Sequence, residues 1–216
     1  MMLKKFSGAI FDMDGTLLDS MWLWRHSGSL LFKQLGLTPP ADIQEILAPM
    51  DLPEMTKFIR DTYDSSLTHE KIIHELDQLL FTEYSEHLSL KPGVLEKLQE
   101  FHHRGIKMCI ATATDLVHVN VALHRLKIDH YFQFIITSTE IGNSKREPHI
   151  FREALRRLGT PKDETVIFED ARYALKTAKA DHFLVAAVYD KYAALTPEEI
   201  HEYSDWYLQT LTDWKE

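Results

Sequence analysis

Four short polar clusters in this chain each follow an apolar run. Asp12-Met13-Asp14-Gly15-Thr16 comes directly after Ala9-Ile10-Phe11. Thr112-Ala113-Thr114-Asp115 follows a second run, Lys145 comes soon after a third, and Glu169-Asp170 ends a fourth. Acids gathered at one edge repel each other, and a hard divalent cation relieves that. Oxygen ligands with retained waters suit Mg²⁺. A carboxylate beside such a cation can attack phosphorus and form an aspartyl-phosphate. The cation, a lysine, and hydroxyl or backbone donors would neutralise the oxygens of the transferring group. A second carboxylate two residues on cannot share the first one's direction in a strand. On a turn, with Gly15 giving backbone freedom, it can face the leaving group as general acid.

The elements that must position these clusters read as an α/β fold. Ala9-Ile10-Phe11 is a buried strand that stops at Asp12. Over 18–90 strand-like runs vanish, and helices are expected at 21–35, 42–47, 53–63 and 68–87. Ser20 and Thr68 are the expected caps, and Pro39-Pro40 and Pro49 are breakers. After Pro92-Gly93 the chain alternates. Helices are expected at 94–104, 117–126, 148–158 and 173–180, and strands at 106–111, 134–137, 165–168 and 183–188. A last helix at 197–203 precedes a strand-like piece at 206–208. Gly105 and Gly159 follow helices as C-caps. This alternation predicts a Rossmann-like parallel sheet with helices on both faces. The expected domains are an α/β core (1–17 and 91–216) and a helical insertion after strand one (18–90). In such sheets ligands bind beyond the C-terminal strand ends, where all four clusters fall.

Composition agrees with that architecture. At 216 residues the chain spans about 1.4 ordinary domains. Its net charge of -9 repels nucleic-acid phosphates and anionic lipid, so neither is an expected partner. The Arg152 to Arg157 segment reads as one face of a solvated helix. The single cysteine, Cys109, allows no intramolecular disulfide, which fits a reducing compartment and a core thiol. No apolar run is long enough for a transmembrane helix. Residues 1–6 lack the apolar stretch of a signal peptide. A cytoplasmic protein, monomeric or weakly dimeric, is expected.

The motifs carry a resemblance. "AIFDMDGTLLDS" resembles motif one of the haloacid dehalogenase-like superfamily, and "CIATATD", "NSKREPHIF" and "VIFEDARYALKTAKA" are similar to its second, third and fourth motifs. "KPGVLEKLQEFHHRG" resembles the entry to the second strand. The helical insertion is similar to the C1 cap of the β-phosphoglucomutase-like and phosphoglycolate phosphatase-like subgroup. The resemblance implies that Asp12 is the nucleophile and a metal ligand. Asp14 would be the general acid and then the base for water, its backbone carbonyl also binding the metal. Thr112 would hydrogen-bond the phosphoryl group, and Lys145 would bridge nucleophile and phosphate. Asp170 would ligate Mg²⁺, with Glu169 beside it. The implied substrate is a small phosphorylated metabolite.

Departures from the pattern sharpen this reading. An acid at Asp14 suits phosphoester chemistry, because an alkoxide leaving group needs a proton. The histidine that β-phosphoglucomutase carries on its first cap helix is replaced here by Trp24, and His26 lies about 200° round the helix. Hydrolysis is therefore favoured over the two alternatives, a phosphosugar mutase and a binding protein on the same scaffold. Motif three has Arg146 where proline is usual. Motif four has Ala174 and Asp181 where glycines are usual.

Each site residue also has an ordinary structural reading. Asp12 and Asp14 could form a strand-end turn, Lys145 could be a loop lysine, and Glu169-Asp170 could cap a helix. Thr112 and Thr114 could be plain strand ends. His69 and His74 have a ligand-like spacing but no companions for a zinc site. Trp22, Trp24 and Phe32 read as cap core. Met50, Asp51 and Pro53 lie where the resembling family has a specificity loop.

Overall fold

The computed structural model describes residues 5–215, so most of the N-terminal segment read above (1–6) lies outside them. The chain runs β1 (Gly8–Phe11), α1 (Met21–Gln34), α2 (Ile43–Leu47), α3 (Leu52–Thr62), α4 (His69–Thr82) and α5 (Val94–His103). It continues through β2 (Lys107–Thr112), α6 (Leu116–Leu126), β3 (Ile135–Thr137), α7 (Ser138–Ile141), α8 (His149–Leu158) and β4 (Thr165–Glu169). The last elements are α9 (Arg172–Ala180), β5 (Leu184–Val188), α10 (Pro197–Tyr203) and β6 (Trp206–Leu208). Two compact units result: Met1–Met21 with Leu88–Glu216, and Trp22–His87. No helix among the described residues is long and apolar enough to cross a membrane.

The first unit holds a six-stranded sheet ordered β3-β2-β1-β4-β5-β6, parallel at every pairing. The expected doubly covered parallel sheet is therefore borne out. β1 is central because all four of its residues are buried, which a strand covered on both faces requires. Its register sets Phe11 opposite Ile110 on one side and Phe168 on the other. The chain goes out through β2 and β3 and then returns to β4 on the far side of β1. That reversal makes the carboxyl end of β1 the switch point of the sheet.

Side chains alternate across the sheet. Ile10, Cys109, Ile167 and Val185 join Ile150, Phe151 and Leu175 in an apolar layer with α8 and α9. On the other side Phe11 stacks on Phe168 at 4.6 Å, Phe101 packs edge-on to Phe6 at 4.8 Å, and Trp214 meets Phe168 at 5.1 Å. Such aromatic pairs contribute about 0.5–1.5 kcal/mol each beyond their buried area. Two segments of this unit run antiparallel: Asp19 N donates to Ser89 O (2.9 Å) and Lys91 N to Leu17 O (2.9 Å). They bring the two ends of the helical insertion side by side.

The second unit has its own core of Leu31, Phe32, Ile43, Leu47, Ile59 and Ile72. Gly28 N donates to Gln44 Oε1 at 3.0 Å, and a Cβ on Gly28 would fall 3.0 Å from Leu47 Cδ1. Glycine therefore lets α1 and α2 approach closely. Asp51 caps α3 in a reciprocal box with Glu54, and the Thr68 hydroxyl accepts from Lys71 N as expected. His69 Nδ1 meets the Thr56 hydroxyl at 2.6 Å.

Some local expectations fail. The helix read over 68–87 stops being α-helical at Thr82, and Glu83–His87 widens into a π-turn with Tyr84 buried. No Pro or Gly marks that change. α7 was invisible to periodicity because it is one turn, closed by the Thr137 hydroxyl on Glu140 N and by Gly142 at φ 74. Phe32 is core, but Trp22 and Trp24 are only half-buried. Ser20, expected as a helix cap, instead donates its hydroxyl to Asp14.

Candidate active site

The switch point gathers the sequence clusters in the first unit. Asp12 follows β1, and its amide donates to Phe168 O at 2.9 Å, which fixes the strand end to β4. Lys145 reaches in from the loop before α8 and is buried to 2% exposure. Its ammonium donates to Asp12 Oδ1 and, at 2.8 Å, to Glu169 Oε2. Lys145 is therefore no surface loop lysine. Glu169 spends its other oxygen on the start of α9, accepting from Asp170 N (3.2 Å) and Ala171 N (3.1 Å). The two Glu169 oxygens thus have different partners, the amides before α9 on one and Lys145 on the other.

Asp14 is held differently. Ser20 Oγ donates to Asp14 Oδ1 at 2.6 Å, and Thr114 Oγ1 donates to Asp14 Oδ2. Thr112 is buried at the end of β2, and its hydroxyl accepts from Thr114 N at 3.1 Å. Thr114 is thus more than a strand end: it joins the hydroxyl cluster to Asp14. Its only sequence signal was its place two residues after Thr112.

One carboxylate oxygen from each of Asp12, Glu169 and Asp170 lies within 4.8 Å of the others. The Asp14 carboxylate, which the sequence reading gave to proton transfer, stands outside that triad with its hydroxyl donors. Burial first, then the Glu169 charge, pushes Asp12 up to about 8, against the pull of Lys145. Burial, Glu169, Asp12 and Asp190 hold Asp170 well above the usual carboxylate range. Burial would depress Lys145, but Asp12 and Glu169 outweigh it and keep the ammonium charged. Asp170 Oδ1 accepts from Thr16 Oγ1 at 3.5 Å, while Oδ2 is buried without a hydrogen-bond partner among the described residues. Gly15, at φ 85, leaves open the space beside it. An orphaned buried oxygen in an all-oxygen acidic cluster fits a hard divalent cation.

Lys91, to which the sequence reading gave no role, supports the turn. Lys91 Nζ donates to Gly15 O (2.6 Å), Tyr189 O (2.6 Å) and Asp190 Oδ2 (3.0 Å). It ties the Asp12–Thr16 turn to the end of β5. Its sequence signal was only a lysine before Pro92-Gly93.

The fold and site place the chain in a class. It belongs to the haloacid dehalogenase-like hydrolase family, whose model matches residues 9–188. The resemblance carried by the four motifs is thereby borne out, and the chain is an enzyme of that family. It is similar to the phosphorylated carbohydrates phosphatase of Thermotoga maritima, with 28% identity over 174 residues covering 79% of each chain. It is also similar to the fructose-1-phosphate phosphatase YqaB of Escherichia coli K12, with 25% identity over 83% of this chain and 94% of that one. The crystal structure of CbbY from Rhodobacter sphaeroides in complex with phosphate shares the fold, with TM-score 0.76 and 23% identity over 96% of each chain.

Proposed function

We propose that this protein is a phosphoric monoester hydrolase that dephosphorylates a small phosphorylated sugar through an aspartyl-phosphate on Asp12. The observation that carries this reading is the buried contact of Lys145 with both Asp12 and Glu169, beside the orphaned Asp170 oxygen. A strand-end turn with no chemistry would not bury three acids and one lysine together, since each buried ion costs several kcal/mol of solvation.

The residues divide the work. The Asp12 carboxylate oxygen attacks phosphorus, the P–O bond to the substrate's sugar oxygen breaks, and Asp14 gives that oxygen its proton. Asp14, now a carboxylate, takes a proton from water, which attacks phosphorus and releases inorganic phosphate from Asp12. The Ser20 and Thr114 hydroxyls hold Asp14 in place for both transfers. The Thr112 hydroxyl donates to a phosphoryl oxygen, and the Lys145 ammonium offsets the charge on the group in flight. Asp12 and Asp170, with Glu169 beside them, would hold Mg²⁺, which supplies charge neutralisation for the carboxylates and the phosphoryl oxygens when bound.

The sugar phosphate class is supported by the names of the two relatives above, both phosphatases of phosphorylated sugars. Trp24, in the place of a mutase histidine, favours water over a second sugar hydroxyl as acceptor. A panel of sugar phosphates, nucleotides and phosphoglycolate, assayed for free phosphate with Mg²⁺ or with a chelator, tests the reading. Turnover of sugar phosphates only in Mg²⁺ is expected. No phosphate release from any member would overturn it.

A further inference from the structure

A cavity with charged side chains at its rim lies in the first unit, against α8 and α9. Its volume is about 470 Å³, and Arg146, Arg152, Tyr173, Lys176 and Asp181 line it. That size is in the range of small-molecule sites. The chain as a whole carries a net charge of -9, yet this lining has three cations and one carboxylate.

The carboxylate is already neutralised. Arg152 donates to both Asp181 oxygens through its Nε–Nη2 edge, with Nε at 3.0 Å from Oδ2, and Lys162 Nζ donates to Oδ2 at 3.3 Å. Arg146 and Lys176 have no carboxylate partner among the described residues. The Arg146 guanidinium lies 4.9 Å over the Tyr173 ring, and Lys176 Nζ lies 6.0 Å over the Tyr203 ring. A guanidinium stacked on a ring keeps its in-plane N–H donors for an acceptor. Tyr173, Pro148 and Ala180 give the cavity an apolar wall. Arg146 and Asp181 are two of the positions at which the motifs depart from the usual pattern, and both meet here.

We propose that this cavity binds a small organic phosphate, with Arg146 and Lys176 on the phosphate and the Tyr173 side against the organic part. None of Asp12, Asp14, Thr112, Lys145, Glu169 and Asp170 lines it, and the binding does not require the catalytic reading above. Paired cations favour a dianion over a monoanion, and a charge-assisted contact with a phosphate is the strong kind of hydrogen bond.

Calorimetric titration of the full chain with AMP, in chelator and at low ionic strength, tests this. AMP should bind the wild type. Affinity should fall roughly ten-fold in Lys176→Ala, the loss of about one such contact, and further in R146A/K176A. Thr112→Val should leave this binding intact, and Lys176→Ala should keep wild-type turnover of an aryl phosphate. Lys176→Gln with an unchanged thermal melt guards against misfolding and should show the same loss. Unchanged affinity in R146A/K176A, loss confined to Thr112→Val, or no AMP binding by the wild type would each overturn the proposal.

Discussion

A Cβ placed on Gly15 would fall 2.2 Å from Asp170 Oδ2, the buried oxygen that has no hydrogen-bond partner among the described residues. The turn after β1 and the end of β4 are thus fitted to each other at a single missing methyl group. Gly15 is also at φ 85, where an L side chain is strained. Gly15→Ala should therefore cost about 1–3 kcal/mol in urea unfolding. It should also abolish phosphatase turnover, because the methyl group takes the space beside Asp170. Wild-type turnover in Gly15→Ala would show that this space is not used.

Asp170 should account for cation-dependent stability. A ligand that binds only the folded state stabilises it by mass action, about 2.7 kcal/mol at a hundred-fold excess over Kd. The melting temperature of the wild type should rise in Mg²⁺ and fall back in chelator. Asp170→Asn should melt at the same temperature in both. A Mg²⁺ shift preserved in Asp170→Asn would place the cation elsewhere.

Lys145 should be a stability residue as well as a catalytic one. Its ammonium is buried between Asp12 and Glu169. Lys145→Met keeps the length of the side chain but leaves two acids uncompensated. Removing one partner of a buried ionic group costs about 3–5 kcal/mol. Urea unfolding should show a loss of that size together with loss of turnover. A variant as stable as wild type would mean that the acids relax apart without cost.

Much of this site was legible because its residues follow strands directly. Asp12, Thr112 and Glu169 sit at or just past strand ends, so alternation of apolar and polar runs placed them at one edge. Lys145 was legible less directly, from its place a few residues after the third apolar run and from the motif, since it comes from a loop whose path depends on the short helix α7. Thr114, Ser20 and Lys91 were hidden for another reason. Their hydroxyls and ammonium act through contacts across 100, 6 and 76 residues of chain, and no local pattern encodes such contacts. The half-burial of Trp22 and Trp24 was equally hidden, because helical spacing gives a face but not how fully that face is covered.

Cys109 offers a pH test of the core. Burial pushes its thiol well above the ordinary value of 9.0. A thiol held protonated in the folded state loses stability to the unfolded chain as pH rises, because only the unfolded thiol releases its proton there. The loss begins near the unfolded value and continues toward the folded one. Between about pH 8 and pH 10 it should amount to about 1.4 kcal/mol. Cys109→Ala should lack that increment while sharing every other pH effect. Equal pH dependence in the two proteins would mean that the thiol is not buried. The native protein should also resist a thiol reagent until denaturant is added.

The central claim is that Asp12 carries the phosphoryl group. Acid quench of the enzyme during turnover of a ³²P-labelled sugar phosphate tests it most directly. Label bound to the protein, released by hydroxylamine and absent from Asp12→Asn, together with loss of turnover in that variant, is the predicted result. Turnover retained in Asp12→Asn, or steady hydrolysis by the wild type with no covalent label at any quench time, would contradict it.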